Sequence, residues 1–485
     1  MENNSTKLGN TPILKLMAIM SIPAMFSMLV QALYNIVDSF FVGMISTTNN
    51  EITALNYAFP LQMIFFAIAL GIGIGTNSLI SRRLGEGNDK EASRVAQTGL
   101  ILGLCAIVIT ILCSFFLPKL FMLLYKNESN TIKDLSIQYL SITMGFSFGM
   151  YIETIFNKIL QSTGNMKIPM FSQLVGAITN IILDPIFIFK TNGVYQLPFG
   201  GEFTMPFGLG MGIQGAALAT VIGQIAAGIF VLCFALFKKQ AVKFNFKGYK
   251  FSWRTIKQIF NVGIAVTIVN SINSISTIIL NKIFELVPVK IGNEYVNIGA
   301  TILGTYYKLQ SFVFMPVFGM NQGVMPILGY NYGAKKSNRF NKTFIYALSF
   351  ALIIMSLGLI LFQVAPSKLL NILSISGITN EYGTIALRVV SLSFLAAAGT
   401  IITSSLFQAI GHGLKSALLN LLRQAFILIP LAFIISYFTR NINLVWIALP
   451  IAECVTLAIF VPVIIITLKN INKQMNTKIE SENTL

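Results

Sequence analysis

"GIGIGTNSLISRRLGEGN" (residues 71–88) and "GMNQGVMPILGYNYGAKK" (residues 319–336) lie 248 positions apart and follow the same course. Each runs from glycines at four-residue spacing (Gly71 and Gly75; Gly319 and Gly323), through an apolar stretch, into a polar, basic segment. At the same offset, Thr53 meets Thr301, Leu55 meets Leu303, Leu61 meets Leu309, Gln62 meets Gln310 and Phe66 meets Phe314. With Gly85 on Gly333, that makes 8 identities in the 33 positions from 53 to 85. Chance would give about 2. Near an offset of 247, Gln161 meets Gln408 and Gly164 meets Gly411. The chain is an internal duplication. Glycines four apart let helices approach closely, and packing is the commoner reason for them.

The solvent for this duplicated chain follows from composition. Of 485 residues, 55% are hydrophobic and 11% charged, with mean hydropathy +0.74. A soluble domain carries roughly 25% charged residues, so lipid is the natural surroundings. Runs such as "LILGLCAIVITILCSFFL" and "LPIAECVTLAIFVPVIIITL" have the length of membrane spans. Twelve are expected, near 13–45, 53–80, 95–118, 137–160, 169–189, 212–237, 258–287, 301–330, 343–365, 382–409, 417–438 and 444–468. Hydrocarbon satisfies no backbone group, and runs this long are helices rather than barrel strands. Six spans per half is an even number. Both halves then start on the same side, and the repeat is parallel, with its axis along the membrane normal. The expected fold is an all-α integral membrane protein: twelve transmembrane helices in two parallel-repeat six-helix lobes around a central cleft. The lobes are residues 1–237 and 258–468. A basic linker at 238–257 joins them, and a tail follows at 469–485.

The formal net charge of +17 would hint at nucleic acid in a soluble protein. Sorted by membrane side, 23 basic residues fall on one set of segments and 7 on the alternate set. This bias puts both termini in the cytoplasm of a plasma-membrane protein and accounts for much of the excess without nucleic acid. The first apolar segment is too long for a signal peptide and reads as a retained span. The four cysteines fall in spans with no metal or disulfide spacing. No GxxxxGK[ST] motif is present, so energy for transport must come from an ion gradient and no nucleotide is expected.

Several stretches together resemble the multidrug and toxic compound extrusion (MATE) family: "YNIVDSFFVG", "GIGIGTNSLISRRLG", "FNKILQSTGNMKIPM", "TNIILDPIFIF", "GIQGAALATVIGQ" and "GMNQGVMPILGYNYGA", in that order. The resemblance implies two six-helix lobes around a cleft. It also implies exchange of Na⁺ or H⁺ for amphipathic, often cationic, compounds.

Four carboxylates lie well inside spans: Asp38, Glu153, Asp184 and Glu453. A charge at the bilayer centre costs about 3 kcal/mol on insertion scales, so each is a functional candidate. Asn180 precedes Asp184 by four residues and Tyr34 precedes Asp38 by four, each on a shared helix face. Thr220 lies on the sixth span. The resemblance implies that Asp38, Asp184, Asn180, Thr220 and Tyr34 form a cation-coupling site. Two carboxylates, an amide and a hydroxyl (Asp38, Asp184, Asn180, Thr220) suit Na⁺, a hard ion, and equally a proton. Pro185 cannot donate to the carbonyl of Ile181, so a kink beside Asp184 is expected. Glu153, Gln62, Gln310 and Lys308 are candidates for lining the cleft. Glu453 reads as a salt-bridge partner of Arg423 or Arg388. Spans seven and ten carry no carboxylate in "GIAVTIVNSINSIST" and "YGTIALRVVSLSFLAAAG", so the first half carries the coupling. Residues 190–210 suggest a hairpin-like excursion.

The reading is a secondary active multidrug exporter, an antiporter and not an enzyme. It works as a monomer without cofactor, on small-molecule drugs or organic cations, in the lipid bilayer. The alternative is a flippase for a lipid-linked saccharide of the same superfamily, whose cavity should be basic. One histidine and scattered cysteines speak against a membrane enzyme.

Overall fold

Apolar runs of 20 or more residues satisfy their own backbones in lipid only as helices, and this chain is built of them. The computed structural model describes residues 8–45, 50–125, 129–196, 201–238, 240–244, 249–291, 294–373, 375 and 377–482. The first half contains α1 (Ile13–Ile45), α2 (Asn50–Gly85), α3 (Asp89–Ser114), a short α4 (Leu117–Met122), α5 (Asn130–Gly145), α6 (Phe148–Ser162), α7 (Lys167–Ile188) and α8 (Ile213–Phe237). The second contains α9 (Trp253–Glu285), α10 (Gly299–Gly333), α11 (Ser337–Val364), a short α12 (Pro366–Ile372), α13 (Gly377–Ser391), α14 (Phe394–Ala409) and α15 (Gly413–Leu421). A π-helical stretch, Leu422–Leu428, joins α15 to α16 (Ile429–Thr439), and α17 (Ile442–Val445) and α18 (Ala448–Glu482) complete it.

Among the described residues ten helices are long and apolar enough to cross a bilayer. The pair α13 and α14, bent by 49°, makes an eleventh. The pair α5 and α6 stands where the fourth span is expected. Shifted by 247, its bounds become 377–392 and 395–409, within one residue of α13 and α14. The duplication therefore extends to the position of a helix break. Large apolar side chains cover the outside, with Phe115 75% and Phe237 86% exposed, as lipid-facing surface requires and water does not allow.

Two boundaries differ from expectation. The Ser252 hydroxyl accepts from the Thr255 N–H and starts α9 at Trp253, five residues before the expected span. At the other end, α18 carries the tail on as helix to Glu482. Residues 190–210 hold the expected hairpin: β1 (Val194–Gln196) pairs antiparallel with β2 (Glu202–Thr204). A second hairpin, β3 (Val289–Ile291) with β4 (Glu294–Val296), was not expected.

The repeated glycines form the seam between halves. A Cβ on Gly71 would lie 2.5 Å from the carbonyl oxygen of Gly263, where α2 crosses α9. A Cβ on Gly319 would lie 2.6 Å from the Ala24 carbonyl oxygen, and one on Gly323 would lie 2.9 Å from that of Met20, where α10 crosses α1. Gly85 faces Tyr330 and Ala334 while its repeat partner Gly333 faces Arg82. Both chain ends lie at this face: Arg339 donates to the carbonyls of Leu8 and Thr11, and Asn472 of α18 accepts from Ser337 and Asn341. The tight crossings thus close the half of the molecule nearer the terminal face. Further along α10 the packing is open at one glycine: Gln322 meets the first half, whereas a Cβ on Gly304 would meet nothing within 4 Å.

Gly71→Ala is therefore expected to destabilise by about 1–3 kcal/mol through overpacking. Gly304→Ala should be neutral or stabilising by up to about 1 kcal/mol, the helix-propensity difference. Melting midpoints of the two purified variants in detergent check this: the first should fall and the second should not.

Candidate functional site

The carboxylate site is assembled by three helices of the first half. On α7, Asn180 and Asp184 stack one turn apart, and the Asn180 Nδ2 donates to Asp184 Oδ1 at 3.2 Å. Helix α8 approaches α7 glycine to glycine. A Cβ on Gly223 would lie 2.8 Å from the Gly176 carbonyl oxygen, and the approach leaves Thr220 Oγ1 3.5 Å from Asn180 Nδ2. Helix α1 contributes Asp38, whose carboxyl is hydrogen-bonded to that of Asp184. Asp184 and Asn180 are buried, at 0% and 2% exposure. Asp38 Oδ1, Asp184 Oδ2 and Asn180 Oδ1 are buried oxygens with no hydrogen-bond partner. Among the described residues no basic side chain pairs with either carboxylate. Two touching carboxyls with three orphaned oxygens need a proton or a cation between them. The oxygen donors present fit Na⁺ or H⁺.

The segment after β2 supports this site. The N–H groups of Leu209, Gly210, Met211 and Gly212 donate to the carbonyls of Ile186, Phe189, Phe187 and Ile188. They cap the carbonyls that the end of α7 leaves open. Gly210 and Gly212, at φ +66° and +58°, allow the chain this path. Helix α7 runs unbroken through Pro185 and ends three residues later. The proline therefore sits in the terminal turn rather than in mid-span.

The remaining expectations divide. The Tyr34 side chain lies outside the described residues. Glu153 accepts from Asn157 and from Ser172 of α7, both at 3.4 Å, so it faces the inside of the first half and not the cleft. Gln62 and Gln310 each precede a seam glycine, Gly71 or Gly319, by nine residues, about half a turn round the helix. They point away from the seam, and Gln62 lines a small crevice of the first half with Thr143, Ser147 and Gln224. Lys308 is exposed on α10.

One residue was misread. Lys158, counted above with the loop charges, is 6% exposed within α6. Its Nζ donates to Gln161 Oε1 at 3.0 Å and, across the seam, to Gln322 Oε1 at 2.8 Å. A cavity of about 50 Å³ adjoins it. The cavity lining pairs by the repeat: Ile74 with Gln322, Asn77 with Met325, Lys158 with Ser405 and Gln161 with Gln408. The cavity therefore lies on the repeat axis, at the foot of the cleft.

The profile of the MatE family matches residues 23–186 and 299–434, one block in each half. The chain belongs to the MatE family. It is 25% identical over 455 residues to a protein named multidrug export protein MepA from Staphylococcus haemolyticus, covering 93% of each chain. The protein of the same name from Staphylococcus aureus is 25% identical over 454 residues, with 91% of each covered. Among solved structures, a MATE in the straight conformation has a TM-score of 0.86 at 25% identity, covering 98% of this chain and 99% of the other. A MATE in the bent conformation gives 0.85 at 25%, covering 97% and 99%. An outward-facing MATE family transporter gives 0.86 at 23%, with the same coverage, and supports the fold.

The two halves of this MATE chain differ in charge pairing. In the second half Arg423, in the π-helical stretch, meets Glu453 of α18 at 2.7 Å, with Thr400 Oγ1 donating to the same carboxylate at 3.1 Å. Arg423 was one of the two expected partners. Both side chains are nearly buried, at 14% and 13% exposure. Removing one partner from such a pair costs about 3–5 kcal/mol, whereas replacing both by apolar residues is often neutral. Arg423→Met and Glu453→Gln should each lower the melting midpoint strongly. The double variant Arg423→Met/Glu453→Leu should recover most of the loss.

Proposed function

We propose that the chain is a secondary active exporter. It antiports Na⁺ or H⁺ against amphipathic small molecules, organic cations among them, by alternating access. The observation that carries this reading is the buried Asp38–Asp184 pair with its orphaned oxygens and no basic partner. It stands beside a cleft that is shut at the terminal face. A structural pair would be neutralised, as Glu453 is by Arg423. The relatives' printed name, multidrug export protein, supports a drug-like cargo.

The cation enters from the open side and occupies the pair. Occupancy draws α1 against α7 and weakens the hold on the drug, which leaves outward. The loaded carrier then returns and releases the cation inside. Coupling requires only that cation and drug prefer different states of the carrier. We assign residues 1–237 and 258–468 as the two moving lobes and place both termini in the cytoplasm of a plasma-membrane monomer. This is a transport role and not enzymatic chemistry, and no cofactor takes part beyond the coupling ion.

One observation favours the second reading, a flippase for a lipid-linked saccharide: Lys158 gives the inter-half space a basic lining. The unpaired carboxylates weigh more, because a cavity that holds the phosphates of a lipid-linked sugar should be basic, and the deep Asp38–Asp184 charges of the first half are acidic.

Efflux of ethidium from pump-deficient cells tests the proposal, with variants compared at matched membrane expression. Wild type should export the dye, and Asp184→Asn should reduce export to the background of empty cells. Equal export by both would remove the site from the mechanism.

A further inference from the structure

Lys158 is a basic side chain buried without a carboxylate partner among the described residues. Isolated ammonium groups are costly to desolvate, and two amide oxygens repay only part of that cost. A leucine or methionine would pack the same space without the penalty. Arg423, a nearly buried basic group on another span, has Glu453. The acidic residue nearest in sequence, Glu153, faces Ser172 and the inside of the first half. Lys158 faces the second half.

The cavity beside it carries two further signs of an unfilled polar site. Asn77 Oδ1 and Asn321 Oδ1 line it, both buried and without partners. The repeat makes the charge more pointed. The counterpart of Lys158 across the axis is Ser405, so one basic group stands near the axis with no charged counterpart in the lining. The held state is also asymmetric in origin. Gln161 belongs to the first half and stays with Lys158 through any lobe movement, but Gln322 arrives from the second half only when the seam closes. When the terminal face opens, Gln322 withdraws and the ammonium loses its shortest hydrogen bond.

We propose that Lys158, with Gln161, is a binding subsite for an acid group on the cargo. The class is amphiphiles that carry a carboxylate, zwitterions included. The acid binds Lys158 when the cleft opens to the terminal face. Closure brings Gln322 Oε1 onto the ammonium, displaces the carboxylate and frees the cargo into the space that opens on the other side. This proposal rests on the exporter reading above and narrows its cargo.

The test uses a matched pair of dyes in proteoliposomes of the full chain: rhodamine 123, a cationic methyl ester, and rhodamine 110, its free acid. Wild type should transport both. Lys158→Met should reduce rhodamine 110 transport about tenfold or more, the worth of one charge-assisted hydrogen bond. It should leave rhodamine 123 within about twofold. Lys158→Arg should restore rhodamine 110. Gln322→Leu, which keeps the lysine, should slow turnover of rhodamine 110 without raising its KM and should spare rhodamine 123. If Lys158→Met fails to fold, this variant decides. Equal losses for both dyes, or no loss for either, overturn the subsite. Wild-type transport of the ester alone overturns the subsite and leaves the exporter standing. Transport of neither dye overturns both.

Discussion

Two carboxyl groups in contact inside a membrane cannot both be charged and empty-handed. At the separation of a hydrogen bond their repulsion is many times thermal energy in low dielectric, and no basic side chain stands by to cancel it. Asp38 and Asp184 can therefore remain together only while they share a proton or hold a cation. Much of the surrounding structure serves that contact. Glycines at 176 and 223 bring α7 and α8 close enough to add Thr220. Asn180 spans the two with its amide. The backbone of residues 209–212 secures the end of α7 just beyond Asp184. Helix α1, which carries Asp38, is also the helix that crosses α10 at the seam.

The duplication gives the molecule two similar halves, and function enters where they differ. The seam is symmetric: Gly71 and Gly75 do for α2 and α9 what Gly319 and Gly323 do for α10 and α1. The buried charges are not. In the first half the carboxylates face each other without a cation, while in the second the buried carboxylate is tied to Arg423. On the axis itself, Lys158 faces the place of Ser405. A symmetric scaffold allows two related states of similar energy, and asymmetric charges let an ion and a cargo tell them apart.

The membrane helices, the repeat and the residues that meet around Asp184 were legible in the sequence because each leaves a local mark. Apolar length defines a span. Glycines in register reveal the duplication. An aspartate in a lipid run stands out, and Asn180 sits one turn from Asp184 by spacing alone. What stayed hidden depends on which face of a helix meets which neighbour. Lys158 lies near a span end, where a lysine reads as reaching for water, and only the packing of α6 on α2, with Gln322 of α10 across its ammonium end, buries it. Gln62 and Gln310 looked like cleft residues from their repetition, yet they lie half a turn from the glycines that define the seam. The role of residues 208–212 is carried by backbone hydrogen bonds to α7, which no residue type announces. Pro185 suggested a kink beside Asp184, yet α7 stays continuous through it, because the proline falls in the last turn, where few backbone bonds remain to be lost.

The central claim is that cargo binding is linked to cation binding at the Asp38–Asp184 pair. The most direct measurement is ion release on cargo binding. Tetraphenylphosphonium is added to purified protein in weakly buffered, Na⁺-free detergent, and protons are followed with a pH indicator. The same addition to protein loaded with radioactive Na⁺ follows the metal. Wild type should release protons or Na⁺ as the ligand saturates, and the double variant Asp38→Asn/Asp184→Asn should bind the ligand and release neither. Equal release from both proteins would contradict the account.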